Sequence, residues 1–306
     1  MWSKIKEAAV MGRRTGLGPT AVGDTLAAVG IAYGTDESII EVEKMYKTMK
    51  LAAYRSSVDM AKELGAFPVW DKKLEKDNPF LLRIKDEDPV LYKDMQKYGR
   101  RNIALLTTAP TGSVSIQAGP RPYFGKTSGI EALYDDQPHT RRKKINHGEK
   151  NAKVDFVDEN GDKWTEYPVF HPMITAWMEA TGETDWKKSP YHGNCAKDID
   201  WKQRVKLQAA AQRHVDHAIS STINLPEDVS VEKVAEIYET AWKAGCKGIT
   251  VYRDKCRSGV LVENKKPEVT KIQKTTAPKR PTQVKCDVHH TTVKGQECTV
   301  FIGKLG

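Results

Sequence analysis

The spacing of apolar and polar residues along the chain predicts mainly helices, separated by short extended segments. The predicted helices cover residues 1–14, 21–29, 35–65, 88–98, 168–180, 201–220 and 231–244. In the longest of them, residues 35–65, the apolar side chains recur at helical spacing, which is typical of a helix packed against a core. Residues 66–87 contain two prolines and charged turns, and we expect them to be irregular.

Short apolar runs predict the strands. Residues 103–106 and 248–252 have the length and composition of buried strands, and residues 220–225 are polar at first and then extended. The chain therefore runs as strand, helix and strand through residues 220–225, 231–244 and 248–252. This order is typical of an α/β domain with parallel strands.

Turns dominate the rest of the chain. Residues 119–167 are predicted to be mostly loop, with the basic run at 141–144 in solvent and a hairpin at 154–167. Residues 263–285 are rich in Lys, Thr and Pro, which predicts a flexible linker. Residues 286–306 predict two short strands that end without a third partner. The predicted domain boundaries are therefore 1–262, a linker at 263–285, and a truncated β segment at 286–306.

Composition narrows the class of protein. Hydrophobic residues make up 39% and charged residues 29% of the 306 residues, as in soluble globular proteins. No apolar run approaches the roughly 18 residues of a membrane span. Residues 1–7 also lack the apolar core of a signal peptide. We therefore expect a cytoplasmic protein.

The net charge of +9 is compatible with two classes of partner, nucleic acids and phosphorylated small molecules. Much of the positive excess lies in residues 141–144 and 265–285, which we predict to be a solvated loop and a linker. Binding to duplex nucleic acid is therefore the less favoured interpretation.

The five cysteines are Cys195, Cys246, Cys256, Cys286 and Cys298. Their odd number and the lack of a C-x-x-C pair argue against a disulfide framework and against a four-cysteine zinc site. A smaller zinc site is a weaker alternative, because residues 286–290 alternate like a strand; its ligands would be Cys286, His289, His290 and Cys298. His214 and His217 fall in the predicted helix at 201–220, where we expect them at the surface or in a supporting role.

Residues 107–115, Thr-Thr-Ala-Pro-Thr-Gly-Ser-Val-Ser, form a polar turn directly after the apolar run at 103–106. The turn carries several hydroxyls and free backbone N–H groups, so we do not expect it in the core. Gly112 allows the main chain to approach a ligand, and successive N–H groups with Thr and Ser hydroxyls make a cradle for a phosphate. From these residues alone, a phosphate site and an ordinary turn with satisfied hydroxyls are both open.

Five ordered segments resemble the large catalytic subunit of ribonucleotide reductase, and the match is to its C-terminal half. The segments are residues 12–30, 106–115, 127–131, 216–226 and 244–253. The second is similar to the strand and substrate-phosphate loop of the family, and the third to the short motif that follows it. The last two resemble the final helix–strand units of the family's barrel. Five motifs in the same order are a far more specific signal than any one of them.

The resemblance implies an α/β fold, namely the C-terminal part of a ten-stranded α/β barrel with outer helices, followed by a flexible linker and a short C-terminal β-hairpin. It also implies a role in the reduction of ribonucleotides to deoxyribonucleotides by radical chemistry, for DNA synthesis. In this interpretation the chain has no catalytic residue and no metal ligand of its own. Its substrate-phosphate site would consist of Ala109, Pro110, Thr111, Gly112, Ser113 and Val114.

The sequences of these motifs are closer to the adenosylcobalamin-dependent class of the family than to the iron-dependent class. The iron-dependent class typically has a tyrosine pair that relays a radical from a second subunit. Here the corresponding residues are Val251 and Tyr252, and valine cannot carry that relay. An adenosylcobalamin enzyme makes its radical beside the substrate, so the resemblance implies adenosylcobalamin as the cofactor of the complete enzyme.

The sequence departs from the family's pattern in three places. In the family, the segment that corresponds to residues 12–30 is preceded by the radical-bearing cysteine, with its Asn-x-Cys-x-Glu loop, and by the first redox cysteine. Both features are absent here. The C-terminal cysteine pair is missing, Asn194 and Cys195 have the wrong spacing to replace the loop, and residues 120–126 look inserted. We therefore expect this chain to pair with a separately encoded N-terminal half. The other expected partners are a ribonucleotide, a thioredoxin-like or other dithiol reductant, and a second copy of the chain.

Two other interpretations remain open. A non-catalytic nucleotide- or nucleic-acid-binding protein would use the basic run at 141–144 and would bind polynucleotides with strong salt dependence. An inert remnant of a disrupted gene would be insoluble when expressed alone.

Overall fold

A computed structural model describes residues 1–119, 122–123, 125–145, 153–157, 161–254, 286–293 and 296–303. The chain divides into two compact units, Met1–Val262 and Glu263–Gly306. The predicted linker at 263–285 lies outside the described residues. None of the helices in the described ranges combines the length and the hydropathy that a bilayer span requires.

Helices are the main regular elements of the larger unit. They are α1 (Trp2–Gly12), α2 (Val22–Ala28), α3 (Asp36–Leu64), α4 (Lys72–Glu75), α5 (Pro79–Glu87), α6 (Pro89–Tyr98), α7 (Gly112–Gln117), α8 (Pro172–Thr181), α9 (Trp201–Gln212) and α10 (Val231–Lys243), with a single 3₁₀ turn at Trp186–Lys188. The seven helices predicted from the sequence are confirmed, with shifted ends. For α3, the Thr35 hydroxyl accepts a hydrogen bond from Ser38 N–H at 3.2 Å, as expected of a helix N-cap.

The prediction for residues 66–87 is wrong, because this segment contains α4 and α5. The side chain of Asp71 caps α4 by accepting from Lys73 N–H at 2.8 Å, and Asn78 caps α5 by accepting from Phe80 N–H at 2.9 Å. Pro79 is the first residue of α5, a position where a missing N–H costs the helix nothing. The proline therefore begins a helix here.

Helix α9 ends at Gln212, well before the predicted end at residue 220. From His217 onward the backbone is extended, because it pairs with the segment that precedes the polar turn. His217 N–H donates to Leu106 O at 3.0 Å, and Ser220 N–H donates to Thr108 O at 2.8 Å. His214 follows the helix and is buried, so a surface position is wrong for this histidine.

The strands in the described ranges are β1 (His139–Lys144), β2 (Phe156–Val157), β3 (Lys163–Val169), β4 (Thr222–Leu225), β5 (Thr250–Arg253), β6 (Cys286–Val293) and β7 (Gln296–Gly303). Strands β4 and β5 are parallel, which confirms the predicted strand–helix–strand unit around α10. Parallel bridges also join Leu17 to Leu106 and Thr108 to Ile219. Four parallel segments therefore run in the same direction: residues 15–17, residues 104–108, residues 217–225 and β5. The described residues form a mixed α/β structure and do not close a barrel.

Residues 139–169 contain a separate antiparallel sheet with the strand order β1-β3-β2. The pairing of Phe156 with Trp164 and of Val157 with Lys163 confirms the predicted hairpin at 154–167. The basic run at 141–144 lies within β1, so its prediction as a loop is wrong. The reason is long-range pairing, because β1 is matched residue by residue along the second edge of β3.

The core of the larger unit lies around α3. Tyr46, Tyr54 and Val58 of this helix are buried together with Leu106 of the extended segment and Leu207 of α9. The predicted role of the apolar face of α3 in core packing is confirmed. A second apolar cluster joins α9, β4 and α10, and its buried members are Val205, Ile223, Leu225, Ile237 and Ala241.

The smaller unit contains the antiparallel hairpin of β6 and β7. In its register Cys286 is opposite Gly303, and Cys298 is opposite Thr291. The two cysteines are therefore near opposite ends of the hairpin. In the described part of the chain, no three His, Cys, Asp or Glu side chains form a cluster that could hold a metal ion.

Candidate functional site

A cleft of about 390 Å³ lies beside the parallel segments. Its lining comes from five parts of the chain: Pro110, Ser128, Glu131, Ala132, Tyr134, Ala196, Ser220, Thr222, Asn224 and Tyr252. Pro110 follows the extended residues 104–108, while Asn224 and Tyr252 lie near the carboxyl ends of β4 and β5. The carboxyl ends of parallel strands are where ligands usually bind in open α/β sheets.

One wall of the cleft is a row of polar side chains on the segment that leads into and forms β4. Ser220, Thr222 and Asn224 line the cleft, whereas the intervening Ser221, Ile223 and Leu225 are buried. This alternation follows from the two-residue period of an extended chain. Asn224 is in register with Tyr252 of the neighbouring β5, which places an amide beside a phenol on this wall.

The six residues predicted to bind phosphate, Ala109, Pro110, Thr111, Gly112, Ser113 and Val114, lie together at the edge of the cleft. Only Pro110 is part of the lining. Thr111 is half-buried, and the other members of this 109–114 loop are exposed. The loop continues directly into the short helix α7, which sequence reasoning missed. Gly112, Ser113 and Val114 contribute the first N–H groups of α7, and such groups have no partner within their own helix.

Thr111 anchors the loop to the neighbouring segment instead of capping α7. It has a left-handed backbone, with φ 51° and ψ 25°, and its side chain makes no cap hydrogen bond. Its hydroxyl accepts from Gly129 N–H at 2.8 Å and bonds to the Thr20 hydroxyl at 2.9 Å. Among the described residues, Thr111 therefore does not cap α7 with its side chain.

Two glycines allow the close approach of backbones around the loop. A Cβ atom on Gly18 would lie 1.9 Å from Thr107 O, and one on Gly129 would lie 2.7 Å from Ala109 O. Gly129 also has a positive φ of 52°, a conformation that favours glycine. By contrast, a Cβ atom on Gly112 would meet open space. Gly112 is therefore free of steric demands from the described residues.

The segment before the loop is held from behind by Asp216. Its carboxylate accepts from Leu105 N–H and from Leu106 N–H, both at 2.8 Å, and from the Tyr54 hydroxyl at 2.7 Å. Closer to the loop, the buried Thr108 hydroxyl bonds to the hydroxyl of Tyr46 at 3.0 Å. Helix α3 therefore supports the loop from the core.

A second carboxylate, that of Asp24, holds the other side of the loop. It accepts from Thr127 N–H at 2.7 Å, from the Tyr191 hydroxyl at 2.7 Å and from His171 Nε2 at 2.9 Å. Burial raises the pKa of the Asp24 carboxyl, but the His171 bond and charge, with bonds from Tyr191 and Thr127, hold it below its ordinary value. The ionised Asp24 thus fixes the segment that carries Gly129 to helix α2.

Cys195 lies just behind the cleft but does not line it. Its side chain is fully buried and donates to Tyr191 O at 3.5 Å. Burial, together with the negative charges of Asp136 and Asp198, raises the pKa of the thiol to about 12. Cys195 is therefore a protonated packing residue, in a position without access to the cleft lining.

Sequence reasoning identified the loop but not most of the cleft. The residues it missed are Ser128, Glu131, Ala132, Tyr134, Ala196, Ser220, Thr222, Asn224 and Tyr252. For β4 a signal was present, because hydroxyl and amide residues alternate with buried ones from position 220 to 225. For Tyr134 and Ala196 the sequence contains no comparable signal, since both lie in irregular segments.

Comparison with known proteins identifies relatives over almost the whole larger unit. The family model for the ribonucleotide reductase barrel domain matches residues 2–252. A vitamin B12-dependent ribonucleoside-diphosphate reductase of Mycobacterium tuberculosis (strain CDC 1551 / Oshkosh) is 30% identical over 279 residues, covering 89% of this chain and 36% of that protein. The enzyme of the same name from Thermoplasma acidophilum is 30% identical, with 88% and 32% covered. This chain spans about a third of the length of these relatives.

A solved structure agrees with the fold. The Actinobacillus ureae class Id ribonucleotide reductase alpha subunit superposes with a TM-score of 0.54 at 17% identity, covering 81% of this chain and 40% of that one. At this identity the likeness concerns the fold alone. The family match is independent of it and extends from residue 2 to residue 252, across all the segments that build the cleft. The chain therefore belongs to the ribonucleotide reductase family, and most of its length matches the family's barrel domain.

Proposed function

We propose that this chain supplies the substrate-phosphate side of a cytoplasmic ribonucleotide reductase. The 109–114 loop binds the phosphates of the ribonucleotide, and the cleft receives the rest of that substrate. In the complete reaction the 3′ hydrogen is abstracted by a radical, the 2′ hydroxyl leaves as water, and two thiols are oxidised to a disulfide. The thiols that perform this step belong to polypeptide outside these 306 residues.

The observation that carries the proposal is the convergence of the family-like motifs on one cleft. Pro110, Ser128, Asn224 and Tyr252 come from four separate motifs, and all of them line the same volume. Packing alone gives no reason for four distant polar motifs to meet at a cavity. A volume of about 390 Å³ is also within the usual range for small-molecule sites.

The loop has the chemistry that a phosphate requires. Three of its exposed residues contribute first-turn N–H groups of α7, namely Gly112, Ser113 and Val114, and the Thr111 side chain does not cap that helix end. Oriented N–H groups of this kind favour anions. The loop is also held on both sides, through Thr108 and Thr111, which supports accurate positioning of the substrate.

Adenosylcobalamin is the cofactor proposed for the complete enzyme, where it would generate the radical. The two relatives named above are vitamin B12-dependent. A further support is Val251, which cannot relay a radical from a second subunit. The cleft matches a nucleotide in size and is too small for a corrin macrocycle, so we assign none of its residues to the cofactor.

We further propose that the four parallel segments are the C-terminal part of a ten-stranded barrel, completed by a separately encoded N-terminal half. Helix α1 has no buried side chain, and Trp2 and Leu17 are exposed by 82% and 52%. These exposed apolar side chains are available for packing against a partner. The missing half would carry the catalytic cysteines. A thioredoxin-like or other dithiol would reduce them, and two complete enzymes would pair as a dimer.

The test combines this chain with a family N-terminal half, adenosylcobalamin, a dithiol and a ribonucleoside diphosphate or triphosphate, and measures deoxynucleotide. The decisive variant is Gly112→Glu, because its new side chain enters open space and places a negative charge where the phosphates would bind. We expect the KM for the ribonucleotide to rise about tenfold or more, through repulsion between like charges.

Gly248→Glu is the matched control, because a Cβ atom on Gly248 also meets open space and its backbone has no positive φ. It should leave the KM within about twofold, a change too small to reflect a lost charge contact. Equal KM values for the two variants would contradict the phosphate assignment. Full deoxynucleotide production by this chain alone would contradict the need for a second half.

A further inference from the structure

Glu131 has a carboxylate that borders the cleft and also bonds inward. Its side chain is 21% exposed and forms part of the cleft lining. Oε1 accepts a hydrogen bond from Thr222 N–H at 2.9 Å, and Oε2 forms an ion pair with Arg204. Because Thr222 lines the same cleft on β4, the single carboxylate of Glu131 ties two of its walls together.

Arg204 extends this connection into the core. Its side chain is only 4% exposed, and the guanidinium carbon lies 5.0 Å from the ring centroid of Tyr33. Arg204 donates to the Tyr33 hydroxyl, which in turn donates to Ile130 O. Burial raises the pKa of Tyr33 to about 12, so the hydroxyl keeps the proton that it donates. Residues 130–131 are thus held to α9 through both a backbone carbonyl and a carboxylate.

We infer that Glu131 is a positioning residue for nucleotide binding, which sets the separation between the 127–131 segment and β4. This inference rests on the proposed function of the cleft. The 127–131 segment also donates Gly129 N–H to Thr111, so a shift of Glu131 would reach the 109–114 loop as well as Thr222. One carboxylate therefore couples the wall of the cleft to its phosphate-binding edge.

The ion pair with Arg204 also suits a site for anions. A lone carboxylate at the cleft would repel the phosphates of a nucleotide, whereas the buried Arg204 balances its charge. Removing the charge of Glu131 would in turn leave the guanidinium of Arg204 buried without a counter-ion, which destabilises the local structure. The pair therefore contributes both to the geometry and to the electrostatic balance of the cleft.

Two substitutions of Glu131 separate these contributions. Glu131→Gln has one acceptor oxygen, so it can serve either Thr222 N–H or Arg204 but not both. Glu131→Asp retains the charge and both acceptors on a shorter side chain. The matched control is Glu75→Gln, which breaks the Arg100–Glu75 pair; that pair has nearly the same exposure, 4% and 15%, and neither residue lines the cleft.

The experiment uses the full chain and measures three quantities for each variant. They are the dissociation constant for a ribonucleoside diphosphate, the hydrogen-exchange rate of the Thr222 amide, and the free energy of unfolding. For Glu131→Gln we expect an affinity loss of about tenfold and faster exchange at Thr222, with partial recovery of both in Glu131→Asp. For Glu75→Gln we expect lower stability with unchanged affinity.

The outcomes distinguish this inference from the proposed function. If the unsubstituted chain and its complex with the N-terminal half bind no nucleotide, the proposed function fails and the positioning role fails with it. If they bind nucleotide and Glu131→Gln loses stability but no affinity, Glu131 is structural only, and the inference alone is overturned. If Glu131→Gln does not fold, Glu131→Asp decides, because unchanged affinity and unchanged Thr222 exchange in that variant would also overturn it.

Discussion

Asp216 supports the segment that leads into the 109–114 loop. One carboxylate accepts from two consecutive backbone N–H groups, those of Leu105 and Leu106, and from the Tyr54 hydroxyl. Asp216 falls inside the helix that the sequence predicts for residues 201–220. Its actual role could not be predicted, because its partners lie more than 100 positions away along the chain.

We expect Asp216→Asn to lower the free energy of unfolding by about 2–3 kcal/mol, because an amide cannot accept at both oxygen positions and leaves a buried N–H unpaired. Tyr54→Phe removes only one of the three bonds, and should cost about 1 kcal/mol. Urea unfolding measures both values. Asp59→Asn is the control, since Asp59 is 53% exposed and its pair with Lys62 should contribute little. An Asp216→Asn effect no larger than that of Asp59→Asn would contradict this account.

His214 predicts a dependence of stability on pH. Its buried ring faces Glu43 at 3.5 Å and Glu87 at 3.8 Å, with Lys50 and Arg213 nearby. Burial, together with the positive charges of Lys50 and Arg213, lowers its pKa from 6.5 to about 4, although Glu43 acts in the opposite direction. The unfolded chain therefore binds a proton at this histidine in a pH range where the folded chain does not.

The sign follows from that difference. Stability from His214 is complete above pH 6.5 and is lost as the pH falls toward 4. The loss between about pH 7 and pH 5 should reach up to about 2 kcal/mol. Urea unfolding at both pH values measures it, and His214→Gln removes the titrating group. If the variant loses as much stability as the unsubstituted chain over this range, His214 is not responsible.

At the scale of helices and strands, some boundaries follow from the local sequence, whereas others depend on pairing with distant residues. The starts of α3, α9 and α10 follow from the local sequence, because Thr35, Asp200 and Ser230 are favoured N-cap residues. Each of these side chains accepts a hydrogen bond from an N–H of its helix. Strand β1 was not readable, because only its pairing with β3 makes the basic run extended. In the same way, α9 ends early because residues after Gln212 pair with the loop segment.

The start of α5 leads to a prediction at this scale. Sequence reasoning treated Pro79 as a break, whereas the Asn78 side chain and the proline together begin the helix. Asn78→Ala should lower the free energy of unfolding by about 1 kcal/mol, as measured by urea unfolding. Replacement by Asp should retain most of the stability, because Asp is also a good N-cap. A neutral effect of Asn78→Ala would show that packing of Leu81 and Ile84 alone determines this helix.

For the molecule as a whole, the order of motifs predicted the family and the location of the 109–114 loop, but not the cleft. Pro110, Glu131 and Tyr252 lie far apart in sequence, and only the parallel arrangement of the strands brings them to one cavity. The carboxylates that fix this arrangement, Asp24 and Glu131, are not distinguishable in the sequence from surface acids. The motifs therefore contain most of the residues that line the cleft, while long-range hydrogen bonds determine its shape.

Because the cleft is assembled from distant segments, a bound nucleotide should stabilise the whole larger unit and not the loop alone. A ligand that binds only the folded state adds about 2.7 kcal/mol to the free energy of unfolding at a concentration of about 100 times its Kd. We therefore expect a ribonucleoside diphosphate to raise the Tm in a concentration-dependent manner.

The same nucleotide should have little effect on Gly112→Glu and an undiminished effect on Gly248→Glu, since only the first substitution places a charge on the loop. Inorganic pyrophosphate should act in the same direction but more weakly, because it occupies only the loop. Stabilisation by polynucleotide instead, with loss at higher salt, would point to the basic strand β1 as the ligand-binding surface and contradict this assignment.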